Sequence, residues 1–131
     1  EGGQTNEFRP LILVAEDDDS NFKLIKAIIG KKCDIQWAKN GEEIVALFKE
    51  YGKEAKAILM DIKMPVMNGL DATKIIREEN KEIPIIMQTA YAFSSDKENA
   101  MNAGASEVLV KPITLSILRG TLTKYFPELV W

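Results

Sequence analysis

Ala57-Ile58-Leu59-Met60-Asp61-Ile62-Lys63-Met64-Pro65-Val66-Met67-Asn68-Gly69 decides the fold, because an apolar run stops at a carboxylate and a Pro/Gly loop follows. The unbroken apolar run Ala57 to Met60, bounded by turn formers, suits a strand buried on both faces. Strands of that kind belong to parallel sheets, in which ligands sit just beyond the carboxyl ends. Asp61 stands at such an edge. A single Asp at a strand end is more often an ordinary turn residue, so its meaning depends on what the rest of the chain places beside it.

Working outward, the strand-then-helix plan recurs. Leu11 to Ala15 is a second apolar run and ends in Glu16-Asp17-Asp18-Asp19. Ser20 or Asp19 is placed to cap a helix carrying Phe22, Ile25, Ile28 and Ile29 at helical spacing, with Gly30 as its stop. Cys33, Ile35 and Trp37 alternate with Asp34 and Gln36, the pattern of a half-exposed strand at a sheet edge. Asn40-Gly41 turns the chain into a helix from Glu42 to Tyr51, which Gly52 ends. Beyond the opening strand, a helix is expected from about Leu70 to Glu79, with Leu70, Ile75 and Ile76 inward and Lys74, Arg77 and Glu78 outward.

Ile83 to Met87 is another buried strand, tolerating Pro84 at its start and running into Gln88-Thr89-Ala90. Ser94-Ser95-Asp96 opens a weak, mostly polar helix to Asn102, closed by Ala103-Gly104-Ala105. Glu107 to Val110 is a short last strand ending in Lys111-Pro112. Ile113 to Phe126 supplies a closing helix with Leu115, Leu118, Leu122 and Phe126 roughly on one face. Such units in succession imply an α/β fold with a parallel sheet and helices on both faces, since parallel strands need right-handed crossovers. Residues 1–9 are polar and aperiodic and read as a linker or expression remnant. Residues 10–127 form one domain, and 128–131 an apolar tail suited to a covered surface.

The 131 residues, 46% hydrophobic and 28% charged, are enough for one core without disulfides or a structural metal. No apolar run approaches the length that crosses a bilayer. The single Cys33 fits a reducing compartment, which points to the cytoplasm. A net charge of -3 without a basic stripe argues against direct nucleic-acid binding. There is no histidine, which removes His-based triads, His acid-base catalysis and His-ligated metals.

In a parallel sheet every strand presents its carboxyl end on the same side, so Glu16, Asp17, Asp61, Thr89 and Lys111 share one rim. Crowded carboxylates repel, and an oxygen-rich anionic pocket is what a hard cation such as Mg2+ seeks. A carboxylate can also act as a nucleophile toward a phosphoryl group when the charge on the transferring oxygens is neutralised. Lys111 would supply part of that charge and Thr89 a hydrogen bond. Singly, each residue has an ordinary explanation as helix-entry acid, strand-end hydroxyl or exposed amine. Together, at the ends of strands one, three, four and five, they do not.

Through Ile12-Leu13-Val14-Ala15-Glu16-Asp17, Leu59-Met60-Asp61-Ile62-Lys63-Met64-Pro65 with Asn68-Gly69, Gln88-Thr89-Ala90 and Val110-Lys111-Pro112, the chain resembles the response-regulator receiver family from about Pro10 to Phe126. The resemblance implies a flavodoxin-like sheet of five strands ordered 2-1-3-4-5, flanked by five helices. It implies that Asp61 is the phosphoacceptor, that Glu16 and Asp17 hold Mg2+ directly or through water, and that the main-chain carbonyl of Lys63 completes the metal site. Lys111 would pair with the phosphoryl group. Thr89 would be the switch hydroxyl, moving toward the phosphate and rearranging the face made by the fourth helix and fifth strand.

The implied function is that of a two-component receiver. It would take a phosphoryl group from a histidine kinase or its phosphohistidine domain, catalyse its own phosphorylation and dephosphorylation, and pass the signal to a phosphotransfer or output domain. Glu16-Asp17 followed by Asn21 is closer to receivers fused to hybrid histidine kinases than to free-standing ones. That would make the segment cytoplasmic, or the cytoplasmic portion of a membrane-bound kinase, without membrane contact of its own. Two departures stand out. The family's switch aromatic usually lies three residues before the lysine, where this chain has Val108, and the positions flanking the phosphoryl group are Lys63 and Tyr91. Two other classes fit the residues less well: a phosphatase with an Asp nucleophile, which usually carries a second acid where Lys63 stands, and a receiver-like domain working by contact alone, against which the complete acid, Thr and Lys set argues.

Overall fold

The computed structural model describes residues 8–90 and 94–131; Tyr91 lies outside the described residues. Five strands, β1 (Leu11–Ala15), β2 (Asp34–Ala38), β3 (Ala55–Asp61), β4 (Ile85–Thr89) and β5 (Glu107–Val110), alternate with five helices. These are α1 (Asp19–Ile29), α2 (Gly41–Tyr51), α3 (Gly69–Glu79), α4 (Ser94–Ala103) and α5 (Leu115–Tyr125). All strand pairs are parallel, in the order β2-β1-β3-β4-β5. The expected α/β, flavodoxin-like architecture is the one observed, with β2 at an edge.

Pleating divides the core into two layers. Leu13, Ile58, Met60, Ile85 and Met87 face one side, packing with Ile44 and Phe48 of α2 and Ala72 and Ile76 of α3. Ile12, Val14, Leu59 and Ile86 face the other, against Ile25, Ile28 and Ile29 of α1 and Leu118 and Leu122 of α5. β3 is buried at both faces, its residues Ala57 to Met60 fully so, and each large side chain there contributes about 2 kcal/mol through burial. That is why the opening stretch reads as an unbroken apolar run.

Several local expectations shift. The N-cap of α1 is Asp18, one residue before the expected Asp19 and two before Ser20; its side chain accepts from the N–H groups of Ser20 and Asn21. Leu115 is half exposed, because α5 turns Leu118, Thr121 and Leu122 inward instead. Arg77, expected outward, folds back over the end of α4 and donates to Gly104 O at 2.8 Å, Asn80 O at 3.1 Å and Ser106 Oγ at 3.2 Å. Gly104 sits beneath it at φ 115°, where a side chain would be strained and would meet the Arg77 stem.

Packing also reaches beyond the expected boundaries. Arg9 donates to Asp34 Oδ1 at 2.9 Å and to the carbonyls of Gly30, Lys31 and Cys33, closing the end of α1. Phe8 lies against Phe126. In the C-terminal tail Leu129 is buried, and the Trp131 indole donates to Thr123 Oγ1 at 2.9 Å. No helix among the described residues is long and apolar enough to cross a membrane.

β5 and α5 are tied by Glu107, which accepts from Lys124 Nζ at 2.6 Å and Tyr125 Oη at 2.9 Å. The Lys124 bond, outweighing partial burial and helped by Tyr125, holds the Glu107 carboxyl below its ordinary 4.5. A depressed folded-state pKa adds stability above the unfolded value and loses it as pH falls through the folded one. Glu107→Gln should therefore cost about 0.5 to 1 kcal/mol at neutral pH. In denaturant titrations that gap to the wild type should close as the pH is taken below the unfolded value.

Candidate functional site

Register builds the site. Ala15 pairs with Met60, Asp61 with Gln88 and Thr89 with Val110, so the carboxyl ends of β1, β3, β4 and β5 meet at one rim. Glu16, directly after β1, is fully buried. Its backbone is pinned on both sides: its N–H donates to Ala38 O at 2.9 Å, and its carbonyl accepts from the Trp37 indole at 2.8 Å. Trp37 is held by flat stacking on Phe22, centroids 3.9 Å apart, with Lys39 Nζ 4.7 Å from the indole ring. Glu16 Oε2 accepts from the Asp18 N–H at 3.2 Å.

Asp17 is exposed at the mouth, and Asp61 is buried at the end of β3. One carboxylate oxygen each from Glu16, Asp17 and Asp61 lie within 4.8 Å of one another. Lys111 Nζ donates to Asp61 Oδ2 at 3.0 Å and stands 3.5 Å from Glu16 Oε1. At that longer distance Oε1 has charge pairing but no hydrogen bond, and it is buried. Burial, then the Asp61 charge, push the Glu16 carboxyl up to about 7, although Lys111 pulls the other way. For Lys111 itself burial lowers the pKa, but the Asp61 hydrogen bond and the two carboxylate charges outweigh it and the net shift is upward.

Asp61, Lys63, Gln88, Thr89 and Lys111 line one cavity of about 150 Å³, more than the 10–15 Å³ or so that a single water needs. Thr89 is buried; its carbonyl accepts from the Lys111 N–H at 2.7 Å, and its hydroxyl donates to Asp96 Oδ2 at 3.0 Å. The loop behind Asp61 closes through the Gly69 N–H to Ile62 O at 2.8 Å, where an added Cβ would lie 2.1 Å from Asp61 O. Glycine is required there by close approach. The exposed Val66, at φ 71°, forms a tight turn with Met67 N–H bonded to Pro65 O at 2.7 Å.

The five rim groups read from the sequence thus stand together, with Lys63 at the cavity wall. Three contributors escaped that reading: Trp37, Gln88 and Asp96. Trp37 had a signal in its inward alternation and Gln88 in ending a buried strand. Asp96 had none beyond a helix-entry position.

The match with known families covers residues 12–123 and is to the response regulator receiver domain. The chain belongs to this family. It is the receiver domain of a two-component signalling system. It is 41% identical over 129 residues to hybrid signal transduction histidine kinase I of Dictyostelium discoideum, covering 89% of this chain and 7% of that protein. The receiver of a Pseudomonas aeruginosa sensor histidine kinase, solved with a magnesium ion in its active-site cleft, superposes with a TM-score of 0.83 at 30% identity. That comparison covers 91% of this chain and 98% of the other. The receiver of a Saccharomyces cerevisiae response regulator, crystallised with its histidine phosphotransfer protein, gives 0.84 at 28% identity over 96% of each chain.

Three acids around one ammonium, one buried oxygen of them lacking a hydrogen bond, suit a hard divalent cation with oxygen ligands. Without metal, the raised Glu16 pKa adds stability below the unfolded value of 4.5 that is lost as pH rises through about 7. Glu16→Gln, neutral throughout, should remove that decline. In chelator it should exceed the wild type by about 3 kcal/mol near pH 8, and the difference should shrink toward about pH 5. Denaturant titrations across that range check it; parallel pH profiles for the two proteins would contradict the burial argument.

Proposed function

We propose that this receiver takes a phosphoryl group from a phosphohistidine onto Asp61. The observation that carries the reading is the Lys111 ammonium seated 3.0 Å from Asp61 Oδ2 within an acid cluster short of positive charge. An Asp61 oxygen forms the new P–O bond as the donor's P–N bond breaks, and the departing imidazole takes up a proton. Lys111, already at the nucleophile, shifts to a phosphoryl oxygen and keeps its charge balanced. Thr89 lines the same cavity, and its hydroxyl would supply a further donor. Glu16, Asp17, Asp61 and the Lys63 carbonyl would hold Mg2+. When bound, the ion neutralises charge on the transferring oxygens.

The donor is a histidine kinase or its phosphohistidine domain, and the recipient a phosphotransfer or output domain. Similarity to hybrid kinases, together with Glu16-Asp17 and Asn21, favours a receiver within a hybrid kinase over a free-standing regulator. Such a unit would span residues 10–127, with Arg9 and Leu129 packed onto it at either end, and work in the cytoplasm, where the buried Cys33, its thiol pushed up to about 11 by burial, stays reduced and inert. Direct contact with nucleic acid or membrane forms no part of this reading.

Incubation with a small phosphodonor and Mg2+ should add the mass of one phosphoryl group to the wild type. Asp61→Asn should gain none, chelation should prevent the gain, and Lys111→Ala should slow it by about 100-fold. An equal gain in Asp61→Asn would overturn the assignment.

A further inference from the structure

The switch aromatic expected of the family is absent at Val108, which is only partly buried and has no polar group. The described residues offer a different partner for the switch. Thr89 Oγ1 donates to Asp96 Oδ2 at 3.0 Å, joining the end of β4 to the first turn of α4. α4 is otherwise lightly anchored: among its described residues only Ala100 and Ala103, two methyl-sized side chains, are buried. Its far end is fastened by Arg77 on Gly104 and by the Ala105 N–H to Ala100 O. Its near end is tied to the sheet by the hydroxyl of Thr89, a residue that also lines the cavity shared by Asp61 and Lys111.

A threonine hydroxyl has one proton to donate. We infer that Asp96 is a positioning residue that holds the Thr89 hydroxyl in the unphosphorylated state, so that a phosphoryl group on Asp61 and the first turn of α4 compete for the same proton. The inference rests on Asp61 being the acceptor. Binding at one site must then weaken the bond at the other by the same factor. When Thr89 turns to the phosphoryl oxygen, Asp96 loses its donor and α4 its tie to β4. The signal thus leaves the site through a carboxylate on α4, with no aromatic side chain required.

Mg2+-dependent binding of beryllofluoride, a phosphoryl mimic, tests this in the wild type, Asp96→Ala, Thr89→Ala and the double variant. Asp96→Ala should bind the mimic about tenfold more tightly than the wild type, the worth of one charge-assisted hydrogen bond at a partly exposed site. In the Thr89→Ala background the same change should have less than about a twofold effect. Asp96→Asn, which keeps the helix-entry shape, should fall between wild type and Asp96→Ala. Equal affinities of wild type and Asp96→Ala would overturn the inference. An equal gain with and without Thr89 would also overturn it, since that would mark simple charge repulsion. A wild type that binds no mimic at all would instead remove the phosphoacceptor reading beneath it.

Discussion

Three carboxylates converge on the rim of one sheet, and among the described residues the Lys111 ammonium is seated against two of them. This imbalance governs the rest of the site. It follows from topology, because parallel strands deliver every carboxyl end to the same side and the register leaves Glu16, Asp61 and Lys111 no other place to go. Lys111 divides itself between Asp61 and Glu16 and satisfies only the former with a hydrogen bond. The Glu16 carboxyl answers by holding its proton far above the ordinary range. A site in this condition accepts positive charge readily.

The scaffold serves this arrangement by fixing backbone rather than side chains. Glu16 is locked through its N–H and carbonyl by Ala38 and Trp37, and Asp61 is backed by a loop whose closure needs the missing side chain of Gly69. The acids are therefore held against their mutual repulsion by hydrogen bonds and packing placed outside the charged cluster. α4 is built in the opposite way, polar and, among its described side chains, sparsely buried, which suits an element that responds rather than supports.

Much of this was legible in the residues themselves. Buried strands write themselves as apolar runs, and Ala57 to Met60 and Leu11 to Ala15 could be little else. The shared rim follows from strand direction alone, which places Glu16, Asp17, Asp61, Thr89 and Lys111 together. What stayed hidden depends on geometry that sequence spacing does not encode. Among four successive acids only the backbone decides that Asp18 caps α1. Arg77 is long enough to lie along either face of α3, and its inward course is set by Gly104 on a distant segment. Arg9 looks like a linker residue until the carbonyls at the end of α1 are in place to receive it. Asp96 looks like a helix entry, and its contact with Thr89 exists only once α4 is docked beside β4.

The charge deficit at the rim is tested most directly by calorimetric titration of Mg2+ into metal-free protein in buffers of differing ionisation enthalpy. One ion per chain should bind, and near neutral pH binding should release a fraction of a proton, because Glu16 must give up the proton that burial lets it keep. The release should vanish in Glu16→Gln. Absence of Mg2+ binding, or binding with identical proton release in the two proteins, would contradict a cluster whose missing positive charge is the metal's.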